Sequence, residues 1–116
     1  MMEKNMAKIA AECLDEHKAE DILTLDVSRL TPFADHYVIA TCSNERALAA
    51  SADQVAEKWE KEGFEVRSIQ GKPESGWMIV DGGDVVVHLF VAWQRKEVKL
   101  DELINSRNAE IHAREA

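Results

Sequence analysis

The sequence predicts an α/β or α+β fold in which a mixed five-stranded sheet is flanked by helices, and three observations carry that prediction. Segments with apolar residues every three or four positions alternate along the chain with segments of strand period. Two runs, His36–Cys42 and Val85–Val91, are apolar on both faces, as strands covered from each side must be. Between Val80 and Val85 the residues D-G-G-D join two strand-like segments in the manner of a tight hairpin.

The elements follow in order. Met6, Ile9, Ala10, Cys13 and Leu14 fall on one face of an opening helix that ends between His17 and Glu20. Residues 22–27 set Leu23, Leu25 and Val27 against Thr24 and Asp26, the alternation of a strand, before Thr31 and Pro32 break the chain. The strand His36–Cys42 is placed centrally in the sheet. Ser43 and Asn44 are capping side chains, and Glu45 puts negative charge where exposed amides open a helix. That long helix carries Leu48, Ala52, Val55, Ala56 and Trp59 on one stripe and closes at Gly63. Residues 64–69 form a strand, and a loop with Gly71, Pro73 and Gly76 follows. Residues 77–80 and 85–91 are the arms of a hairpin whose two glycines take positive φ, the second arm being too apolar to lie anywhere but centrally. Leu100, Leu103, Ile104 and Ile111 give a charged closing helix with a narrow apolar stripe, its last residues frayed. The expected order is helix, two strands, helix, three strands, helix, with residues 1–116 as a single domain.

A chain of 116 residues with 46% hydrophobic content is large enough for one packed core. Asp and Glu number 22 against 14 Lys and Arg, a formal charge of -8, which disfavours a broad nucleic-acid-binding face, so little direct nucleic-acid binding is expected and a basic protein is the better-suited partner. Cys13 and Cys42 form neither a C-x-x-C pair nor a disulfide framework and are expected as buried thiols. The opening residues M-M-E-K-N build no apolar targeting segment and no run is long enough to span a bilayer, which leaves the cytoplasm as the expected compartment.

An enzyme reading would gather Asp26, Asp35, Asp81 and Asp84 with Ser43, because carboxylates at strand ends can hold a divalent metal for phosphoryl transfer. Turn chemistry explains these acids more simply, since Asp81 and Asp84 bracket a Gly-Gly turn and Asp35 lies beside a proline-containing loop. His88, inside the most apolar strand, is a base or metal ligand in one reading and a hydrogen-bonded core histidine in the favoured one. Neither H-x-H nor H-E-x-x-H is present, and G-K-P-E-S-G lacks the order of a phosphate-binding loop, so no metal or cofactor is expected. Trp77 follows that loop and opens a strand at an expected sheet edge, its side chain and that of Met78 pointing to opposite faces. Periodicity leaves open whether Trp77 is an exposed docking anchor or packs in the core, as Trp59 and Trp93 are expected to do.

Read together, K-A-E-D-I-L-T-L-D-V (18–27), A-D-H-Y-V-I-A-T (34–41) and G-W-M-I-V-D-G-G-D-V-V-V-H-L-F (76–90) resemble the Iojap-like ribosomal silencing factor family. The resemblance spans roughly residues 7–104 and is specific in combination. It implies a nucleotidyltransferase-like fold without nucleotidyl transfer, hence no enzyme. It further implies a translational repressor that binds the large ribosomal subunit at ribosomal protein uL-fourteen and blocks joining with the small one. Trp77 and Met78 then match apolar docking residues, Lys72 a polar position in the preceding loop, and Asp35 and Thr41 a shared surface. The sequence departs from the family after Arg95, where Lys96, Glu97, Val98 and Ile104 replace aromatic bulk while Leu100 and Leu103 keep the packing positions. Gln70 stands where an acid is usual and Cys42 where glycine is. Two other readings remain, a small metal-dependent nucleotide-binding enzyme built on the acids and Ser43, and a homodimer formed through the hairpin edge or the closing helix.

Overall fold

The computed structural model describes residues 5–115. These residues form five strands, β1 (Glu20–Asp26), β2 (His36–Cys42), β3 (Ser68–Gln70), β4 (Trp77–Asp81) and β5 (Val85–Val91), and four helices, α1 (Met6–Glu16), α2 (Glu45–Lys61), α3 (Ala92–Val98) and α4 (Leu100–Glu115). The strands order as β1-β2-β5-β4-β3, with β2 and β5 parallel and every other pair antiparallel. The two fully apolar strands are therefore neighbours at the centre, as their composition demands.

One face of the sheet is closed by α1 and α2. Val38, Ala40, Met78, Val80, Val87, Leu89 and Val91 meet Ala10, Leu14, Leu48, Val55 and Trp59 there, nearly all fully buried. Each helix begins on an asparagine whose Oδ1 accepts a backbone N–H of the first turn, Asn5 from Lys8 at 3.1 Å and Asn44 from Ala47 at 2.8 Å. Both end on the same left-handed motif. Gly63, at φ +92, lets Phe64 N–H reach the Trp59 carbonyl, and Lys18, at φ +65, lets Ala19 N–H reach that of Leu14.

The opposite face is half covered. Val27, Ala34, Ile39, Phe90 and Ile104 form a second buried cluster where α4 crosses β1, with Tyr37, Trp77, Val86, Val98 and Leu100 packed against it, and Trp77 and Ile79 of β4 stay partly exposed beyond it.

Several expectations are corrected. Residues 64–67 run irregularly off α2, with Phe64 and Val66 packed against the first core, so β3 is only three residues long. The β4-β5 hairpin lies inside the sheet and offers no edge; the edges are β1 and β3. Only Gly83 takes positive φ, while Gly82 is needed for space, because a Cβ there would stand 2.7 Å from both Met6 Cε and Trp59 Cζ3. α3 was not expected at all: it continues from β5 with no break residue and no side-chain cap to announce it. Leu103 faces solvent at 53% exposure and Ile104 takes the buried position instead. The expected fraying of the last residues falls partly on Ala116, which like residues 1–4 lies outside the described residues.

Candidate functional site

The uncovered half of the second face is built from alternate residues of the central strands. Pairing sets Thr41, Phe90 and Trp77 in one row, Ile39, His88 and Ile79 in the next, and Tyr37 beside Val86 in a third. Alternation along β4 turns Trp77 and Ile79 toward this surface and sends Met78 and Val80 into the first core.

Trp77 is fixed from several sides. Its backbone N–H donates to Ser75 Oγ at 3.2 Å, in a short turn Pro73–Ser75 that closes on Gly76 at φ +78. Gly71 packs directly on the Trp77 carbonyl, where a side chain would collide. The indole stacks on Phe90 with centroids 5.1 Å apart and 27° between planes, and its Nε1–H donates to His88 Nδ1 at 3.2 Å. Tyr37 covers His88 from the other side at 4.5 Å. Trp77 and Tyr37 remain partly exposed, so the result is an aromatic surface one side chain deep.

His88 is thus a core histidine satisfied on one nitrogen only. The residue is 6% exposed, Nε2 has no hydrogen-bond partner among the described residues, and burial pushes its pKa down to about 4. With Nδ1 accepting from the indole, the neutral ring carries its proton on Nε2.

The other expected site residues divide. Trp77, Lys72 and Thr41 share one end of the sheet, Lys72 exposed on the loop before Trp77 and Thr41 two strands away, about 10 Å across the ladder. Thr41 Oγ1 accepts from Arg95 Nη1 at 2.7 Å, and the same nitrogen donates to the Asp21 carbonyl at 2.8 Å, so this hydroxyl anchors α3 to β1 and β2. Met78 is 8% exposed and supports the surface from beneath. Asp35 is exposed at the start of β2, roughly 20 Å from Thr41 along the strand. Trp77 does not lie on an edge strand, but β3 pairs β4 only at Ile79, Val80 and Asp81, which leaves Trp77 beyond its reach. Trp93, expected in the core, is 58% exposed beside Gly76, and Phe33 is 83% exposed at the opposite end.

The acids come to one sheet end, since β1 and β4 finish where β2 and β5 begin. They do not converge: among the described residues no three His, Cys, Asp or Glu could hold a metal together. Asp26 Oδ1 accepts from Ser28 N at 2.9 Å and Ser28 Oγ at 2.6 Å, which holds its carboxyl below the usual range, and Asp81 Oδ1 accepts from Gly83 N at 2.8 Å. Ser43 lies past the far end of β2. A depression of about 650 Å³ between α1 and α2 is lined chiefly by Glu16, Gln54, Glu57, Lys58 and Lys61 around Cys13. Burial pushes both Cys13 and Cys42 thiols up, away from nucleophilic thiolate. Among the described residues no helix is long and apolar enough to cross a membrane.

Fold and surface together define a small mixed-sheet α+β protein that presents aromatic side chains on a half-open sheet. The family described as "Ribosomal silencing factor during starvation" matches residues 2–115. Among similar proteins, the ribosomal silencing factor RsfS of Bacillus subtilis (strain 168) is 35% identical over 103 residues, covering 89% of this chain and 87% of that protein. The chloroplastic protein Iojap of Zea mays is 36% identical over 92 residues, 79% of this chain and 40% of that protein. A crystal structure of a Chromobacterium violaceum protein superposes with a TM-score of 0.84 at 31% identity, covering 90% of this chain and 88% of that one. The chain belongs to the ribosomal silencing factor family.

Proposed function

We propose that this protein is a translational repressor that docks on the large ribosomal subunit through ribosomal protein uL-fourteen and keeps the small subunit from joining, without catalysing a reaction. The observation that carries the reading is the partly exposed aromatic surface centred on Trp77, stacked on Phe90 and set beside the cluster that α3 and α4 close. Lys72 borders it, Arg95 holds Thr41 at its far side, and Met78 backs it. Asp35 contributes only if the partner extends the length of the sheet. A formal charge of -8 favours a basic ribosomal protein over bare RNA. Membership in the silencing factor family supports the ribosome as the partner, and a body with extents of 44 × 40 × 22 Å would exclude the small subunit by volume if seated on the joining face of the large one.

Co-sedimentation with purified large subunits tests this. The wild type co-migrates and Trp77→Ala binds roughly 30-fold more weakly, the equivalent of about 2 kcal/mol for a buried tryptophan anchor. Absence of wild-type co-migration, or undiminished joining of subunits in excess protein, would overturn the reading. Self-association through β1 or β3 can coexist with docking, and light scattering during gel filtration reports it.

A further inference from the structure

We propose that His88 is a positioning residue for docking: its Nδ1 lone pair holds the indole of Trp77 in the orientation that the partner meets. The inference rests on the docking reading above and adds to it a residue that touches no partner, since His88 Nε2 is sealed beneath its neighbours and the residue is 6% exposed.

Stacking on Phe90 sets the plane of the indole, and its rotamer sets which edge carries the Nε1–H. The polar atom of the indole ring, Nε1–H, locks that rotamer by donating to His88 Nδ1 at 3.2 Å. His88 is placed to accept because it sits on β5 opposite Ile79, one side chain along the same face from Phe90, and Tyr37 presses on its ring at 4.5 Å. The arrangement carries a cost. Accepting at Nδ1 places the proton on Nε2, and that buried N–H has no acceptor among the described residues. A leucine or phenylalanine would fill the position without the orphaned Nε2–H but would strip the Trp77 indole N–H of its acceptor, so filling space alone does not call for histidine. What only the imidazole supplies is the acceptor for the indole, and burial keeps the ring in the neutral form that can accept.

The test measures large-subunit affinity of four variants, with the three indole N–H resonances of Trp59, Trp77 and Trp93 read by nitrogen-edited NMR. His88→Leu removes the acceptor; His88→Asn returns one, its Oδ1 standing where Nδ1 stood; Trp77→Phe removes the donor; the fourth combines His88→Leu with Trp77→Phe. His88→Leu is expected to bind roughly fivefold more weakly, the worth of one neutral hydrogen bond, with the Trp77 N–H resonance shifted upfield. His88→Asn recovers affinity to within about twofold, and the double variant binds no more weakly than Trp77→Phe. Wild-type affinity in His88→Leu with the indole bond shown to be lost overturns the inference alone, as does an additive double variant or no recovery with asparagine. Should His88→Leu fail to fold, Trp77→Phe decides: wild-type affinity without the donor overturns the inference. If Trp77→Ala binds like the wild type, or the wild type does not bind, the docking reading falls and takes this inference with it.

Discussion

His88 makes stability depend on pH in a calculable direction. Its folded pKa of about 4 lies below the 6.5 of an unburied imidazole, so between those values the unfolded chain binds a proton the folded chain refuses. The group has no effect above pH 6.5; as pH falls through the window to 4 it withdraws up to about 3 kcal/mol of stability. Urea unfolding at pH 7.0 and 4.5 is expected to show this loss, and His88→Phe to show a shallower slope over the same interval. Burial of His88 was legible in the apolar run around it, but the partner of its nitrogen was not, because Trp77 becomes its neighbour only through the β4-β5 register. Gly82 shows the same division. Its place in a turn was plain from D-G-G-D, whereas its role as the space for Trp59 and Met6 depends on helices that are distant in sequence.

At the scale of elements, α1 and α2 offer a matched experiment. Each terminates in a left-handed residue, glycine in α2 and Lys18 in α1. A Cβ at Gly63 would meet nothing within 4 Å, so Gly63→Ala isolates the backbone cost of positive φ and is expected to destabilise by about 1 kcal/mol. Lys18→Gly relieves the same strain and is expected to stabilise by roughly 0.5–1 kcal/mol, both changes read from thermal or denaturant midpoints. Removing the Asn44 cap with alanine should cost about 1 kcal/mol. α2, with Asn44 before it and Gly63 after it, could be read from sequence almost to the residue, whereas α1 was legible by its apolar stripe and closes at Glu16, short of the expected 17–20, because Lys18 makes its turn without a glycine to mark it. α3 could not be read, because Val91 passes directly from strand to helix and the sharp bend to α4 is made at Lys99, φ +51, where no glycine marks it. β3 was overextended because Phe64 and Val66 are apolar for the sake of the α1-α2 core, which strand alternation imitates.

For the whole molecule, the charge of -8 predicts how docking responds to salt. If the partner is a basic protein, the association rate should fall steeply as ionic strength rises from 0.05 to 0.3 M, roughly the range over which screening shortens below 10 Å, while dissociation from the Trp77 surface changes little. Stopped-flow association at several salt concentrations measures both. The mixed sheet and its central apolar strands were legible from composition, and the location of Trp77 on a strand was as well. Strand order was not: that β5 lies between β2 and β4 is fixed by the fit of a whole layer, and it is what brings Trp77 beside Phe90 and His88. The parallel pairing of β2 with β5 also sets a schedule for the newborn chain. β2 leaves the site of synthesis some fifty residues before its central neighbour, an interval of roughly three to ten seconds at ordinary elongation rates. Throughout that interval H-Y-V-I-A-T-C has β1 on one side and a bare ladder on the other, so a strand apolar on both faces is also the one that must wait longest for its partner.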